Sequence, residues 1–103
     1  MIYSDDKWFD AWRTRAINAM PSVATRVFAL RNKGYCGYGF HYSLEKLLGT
    51  CIRDLSDLEN PEYYYAEPRN VIAHRIVLRL LVRELFARVA EAERDLNNDQ
   101  SNR

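Results

Sequence analysis

Residues 43–58 read Ser-Leu-Glu-Lys-Leu-Leu-Gly-Thr-Cys-Ile-Arg-Asp-Leu-Ser-Asp-Leu. Leu44, Leu47, Leu48, Cys51, Ile52, Leu55 and Leu58 recur at steps of three and four, the period that lines one face of an α-helix. Ser43 stands where a hydroxyl can cap the first backbone N–H groups. Asn60-Pro61 ends the pattern, because proline disfavours the helical conformation in the residue before it. The stretch predicts an amphipathic helix over 44–57, which has to bury its leucine face against other helices. No segment alternates apolar and polar residues for long enough to predict a strand. The expected fold class is therefore all-α.

On either side of this stretch lie the helices it would pack against. Trp8, Phe9, Trp12, Ala16, Ile17 and Met20 predict a helix over 5–19, with Ser4, Asp5 and Asp6 facing its positive end. Pro21 suits the first turn of a separate helix over 22–32, whose apolar face is Val23, Val27 and Leu30. Gly34 is placed for a left-handed cap at its end. Pro68 opens a last helix over 68–96, carrying Val71, Leu78, Leu81, Val82, Leu85, Val89 and Leu96 on one face. Ile76, Val77 and Leu80 add apolar groups on other sides, so the first half of this helix is expected to be nearly surrounded. The prediction is one domain over 1–103, a bundle of about four helices with a polar tail at 97–103.

With 48% hydrophobic and 28% charged residues the composition is that of an ordinary globular chain, and disorder is not indicated. A net charge of +1 gives no overall pull toward nucleic acid or membrane, but the charge is segregated. Residues 54–68 hold Asp54, Asp57, Glu59, Glu62 and Glu67 without a single Lys or Arg; residues 69–90 hold Arg69, Arg75, Arg79, Arg83 and Arg88 against Glu84 alone. Two cysteines, Cys36 and Cys51, are too few for a disulfide scaffold, and the acidic start Met-Ile-Tyr-Ser-Asp-Asp is unlike a signal peptide. Cytoplasmic localisation is expected. Arg75, Arg79 and Arg83 interrupt the best apolar run, so no membrane association is expected.

Chemistry is expected at Arg69-Asn70-Val71-Ile72-Ala73-His74. On a helix Asn70 and His74 are one turn apart, and Arg69 can bend back toward them. Histidine can act as base or acid near neutral pH, arginine can hold a phosphate, and asparagine can orient either. That trio suits transesterification of RNA by its own 2′-OH. The alternative for the same residues is a half-buried histidine hydrogen-bonded within a bundle. Arg75, Arg79 and Arg83 form a ridge able to follow an RNA backbone, or a solvated face paired with the acidic segment. Tyr38 in the glycine-rich loop 34–43 can stack a base, and Tyr63, Tyr64 and Tyr65 can anchor a protein partner; aromatics of this kind also close the ends of small bundles. Neither cysteine nor histidine spacing matches a metal site, so no metal or other cofactor is expected.

The hexapeptide Arg69–His74 resembles the Arg-Asn-x-x-x-His signature of HEPN domains, in the form found in abortive-infection and toxin members. Phe40-His41-Tyr42-Ser43-Leu44-Glu45-Lys46-Leu47-Leu48 is similar to the helix upstream of that signature, which starts aromatic and carries a Glu-Lys pair before leucines. This resemblance implies an all-α bundle and a metal-independent endoribonuclease or RNA-binding protein of a defence or toxin system. It also implies a homodimer with the motifs facing a shared cleft, catalytic Arg69 and His74, and Asn70 in support. An antitoxin or host complex would be the protein partner. The compressed spacing, Arg75-Ile76 after the histidine and Pro68 before the arginine depart from the family pattern. The competing expectation is a small helical binding protein without catalysis. A phage- or mobile-element-encoded inhibitor, blocking a host complex through its aromatic and acidic loops, would be of this kind.

Overall fold

The computed structural model describes residues 6–34, 43–57 and 68–101, with side chains over 7–34, 43–57 and 72–98. They form α1 (Asp6–Asn32), α2 (Leu44–Asp57) and α3 (Pro68–Ser101), and no strand occurs among them. The class is all-α, as expected, but three helices replace the expected four. α2 occupies the bounds that its leucine spacing predicts. Ser43 caps it: the Lys46 N–H donates to Ser43 Oγ at 3.2 Å, and the Leu47 N–H to Ser43 O at 3.0 Å.

The difference in count arises at Pro21, which lies inside α1 and joins the expected segments 5–19 and 22–32 into one helix. Proline removes one backbone hydrogen bond and costs about 3 kcal/mol within a helix. The opposing term is larger. Ala16, Met20, Val23, Val27 and Leu30 form one unbroken buried line across the proline, and burying each large side chain contributes about 1.5–3 kcal/mol. Breaking the helix at residue 20 would turn half of that line away from its partners. The Pro21 ring itself is exposed, at the edge of a hollow between α1 and α2. At the far end Gly34 takes φ +88°, the left-handed cap its position predicts, and its N–H donates to Arg31 O at 2.9 Å.

Side-chain pairs set the topology. Arg31 Nε lies 3.3 Å from Glu45 Oε1, so α2 starts beside the end of α1 and runs back along it. The Arg75 guanidinium lies over the Phe9 ring near the start of α1, and Arg26 pairs with Glu93 further on, so α3 runs parallel to α1. The bundle measures 54 × 23 × 21 Å. A 34-residue helix is about 51 Å long, so α3 accounts for the long axis. Val23, Val27, Cys51, Leu55, Leu78, Leu85 and Val89 are the most deeply buried side chains, at the seam of all three helices.

Two further expectations need correction. α3 continues through Asn97 to Ser101, so the polar stretch 97–101 is helical rather than a tail. The first half of α3 is not surrounded: Ile76, Val77 and Leu80 are 51%, 48% and 58% exposed. α1 and α2 bury one side of α3, and no fourth element among the described residues covers the other.

Candidate functional site

Asp54 sits on the apolar stripe of α2, three residues after Cys51 and one before Leu55, and is buried with them. His74 stands on α3 one turn before Leu78, at the head of the line Leu78, Val82, Leu85, Val89. Packing α2 against α3 therefore brings the two together. His74 Nε2 is 3.6 Å from Asp54 Oδ2, with the side chains 26% and 12% exposed. Arg53 Nε donates to the other carboxylate oxygen, Oδ1, at 3.4 Å. A carboxylate in an apolar stripe is costly unless paired, and here each oxygen has a cationic or cationisable neighbour.

The arrangement resembles a catalytic base with its orienting carboxylate. The carboxylate lies within ion-pair reach of the ring, and the His74 side chain keeps part of its surface open to solvent. Cys51, one turn before Asp54, has no such role. Burial, assisted by the nearby Asp54 charge, pushes its thiol up to about 11, which keeps it protonated and unreactive near neutral pH. Among the described residues no three His, Cys, Asp or Glu side chains gather to hold a metal ion. Among them, too, no helix is long and apolar enough to cross a membrane.

The other expected site residues divide. Asn70 and His74 both lie on α3, one helical turn apart. The side chains of Arg69 and Asn70 lie outside the described residues, as do Tyr38 and Tyr63, Tyr64 and Tyr65. Arg75, Arg79 and Arg83 are described, and two of them meet α1 aromatics. The Arg75 guanidinium carbon is 4.6 Å from the centre of the Phe9 ring, and that of Arg79 is 4.2 Å from the centre of the Trp8 ring. Arg79 and Arg83 are exposed; Arg75 is half-buried.

Sequence reasoning missed Asp54, because it reads as the first residue of the acidic run 54–67. The available signal was its register. Counted from Leu47 and Cys51 it falls on the buried stripe, and a carboxylate there requires a partner.

No family model matches this chain, and neither curated proteins nor solved structures offer a match.

Proposed function

We propose that this protein is a metal-independent endoribonuclease acting in the cytoplasm, with His74 as its acid/base, Asp54 as the residue that positions it and Arg69 on the scissile phosphate. The observation that carries this reading is the Asp54–His74 pair, a partly buried imidazole 3.6 Å from a buried carboxylate. The likeness of Arg69–His74 to the HEPN signature supports the same residues. In the reaction His74 takes the proton from a ribose 2′-OH, and the 2′-oxygen attacks the adjacent phosphorus. The 5′-oxygen then leaves with a proton from water, which yields a 2′,3′-cyclic phosphate and a 5′-OH. Arg69 offsets the charge that builds on the phosphate oxygens, and Asn70, a turn from His74, helps to orient the substrate.

The experiment is cleavage of single-stranded RNA in EDTA, with the ends identified chemically. The expected product carries a cyclic phosphate. His74→Ala should abolish cleavage with the helical content unchanged. Asp54→Asn should lower kcat by about 10²-fold while leaving KM nearly constant, because a positioning residue acts through the base. RNA left intact by pure wild-type protein would remove the proposal. A second reading, a binding protein without catalysis, draws on the exposure of Ile76, Val77 and Leu80. It predicts a stable protein complex that is indifferent to His74→Ala.

A further inference from the structure

The side of the α1–α3 pair away from α2 holds an open groove of about 560 Å³. Trp12, Ala16 and Ala19 of α1 form one wall, and Ile76, Leu80 and Phe86 of α3 form the other. Both walls follow helical spacing, so the groove lies along the two parallel helices. From Ile76 to Phe86 it covers about 15 Å, roughly three turns of a helix. Its most exposed groups, Ile76 and Leu80, are large and aliphatic. Arg15 stands on the α1 side and Arg79 and Arg83 on the α3 side, and among the described residues no carboxylate lines it.

We infer that this groove is the docking site for an amphipathic helix of a partner protein, apolar on one face and rich in Asp and Glu along both flanks. Charge decides between the candidate occupants. A second copy placed here would set Arg15, Arg79 and Arg83 against the same three guanidinium groups, which is repulsive. An acidic helix pairs with them instead, while its apolar face completes a four-helix packing that the three described helices leave open. Single-stranded RNA is the other anionic candidate. It needs open flat faces for its bases, but Trp12 packs against Phe9 with ring centres 5.5 Å apart, Phe86 is half-buried against the core, and the Trp8 face is already taken by Arg79. Apolar walls between cationic rims suit an amphipathic peptide helix. The inference is independent of the proposed nuclease activity, and His74→Ala should not alter it.

The test uses the full chain and two designed helical peptides of about 18 residues, alike in their leucine face and flanked by Glu in one and Lys in the other. Binding is followed through Trp12 fluorescence and the anisotropy of labelled peptide. The Glu peptide should bind saturably, at least about tenfold more tightly than the Lys peptide. The double variant Arg79→Glu/Arg83→Glu should invert that preference, an outcome that a misfolded protein cannot produce. Leu80→Glu should abolish binding of either peptide without changing the circular dichroism spectrum. Four results would each overturn the inference: no saturable binding below about 1 mM, equal binding of both peptides, displacement of the Glu peptide by a single-stranded oligonucleotide, or a homodimer that Leu80→Glu dissolves.

Discussion

Replacing Pro21 with alanine tests the central departure of the fold from its expected form. In the structure Pro21 lies within α1, so the Ile17 carbonyl lacks the backbone donor that position 21 would supply. An interior proline is about 3 kcal/mol less favourable than alanine. Removing proline also frees the unfolded chain, which offsets about 0.4–1 kcal/mol. The ring is exposed, so the lost packing is small. The balance is about 2 kcal/mol in favour of Pro21→Ala. For 103 residues this corresponds to a rise in Tm of roughly 8–10 °C. Urea unfolding followed by far-ultraviolet circular dichroism should show a higher midpoint with an unchanged slope, and a thermal melt should agree. A neutral or destabilised variant would refute the continuous helix. It would mean that Pro21 opens a second helix, where its missing N–H costs nothing and its fixed φ is an advantage.

Three other outcomes are expected. Hydrogen bonding to Arg26 holds the Glu93 carboxyl below the usual glutamate range against the opposing effect of burial, and Glu93 in turn raises Arg26. A depressed carboxyl stabilises the fold above its unfolded-state pKa, near 4.3, and that contribution is lost as pH falls through the lower folded value. Both side chains are more than a third exposed, so solvent screens the pair and Glu93→Gln should cost only about 0.5–1 kcal/mol at pH 7. The gap between the wild-type and variant urea midpoints should close in acid below the glutamate range and shrink in 1 M salt; a gap constant with pH would be contrary to this account. Gly34→Ala should destabilise by about 1 kcal/mol through backbone strain alone, since a Cβ there meets nothing within 4 Å; Gly34→Asn, which tolerates positive φ better, should cost less in the same melt. Asp54→Asn should slow RNA cleavage without unfolding the bundle, and equal loss of activity and of cooperative unfolding would reduce Asp54 to a structural role.

Where a local pattern coincides with the global demand, the chain reads correctly from sequence. Ser43, the leucines of α2 and Gly34 each do in three dimensions what their spacing implies. Pro21 is different, because the local rule against proline competes with the buried line from Ala16 to Leu30, and only packing shows which prevails. Ile76, Val77 and Leu80 were expected inside because they are apolar. Whether they are covered depends on how many helices surround α3, which periodicity along one helix does not report. His74 was legible as a candidate from its neighbours in sequence. Asp54 was not, since its partner lies twenty positions further along and reaches it only through the α2–α3 contact.

The parallel course of α1 and α3 has an electrical consequence. Each helix carries partial positive charge at its start and partial negative charge at its end, and two long helices pointing the same way add their dipoles. α2 opposes them but has 14 residues against 27 and 34, so it cancels only part of the sum. The peptide groups thus leave a net dipole along the long axis of the bundle. Where α3 begins, its partial positive charge lies beside the Asp54 carboxylate near the end of α2 and partly offsets it. That offset weakens as ionic strength shortens the Debye length.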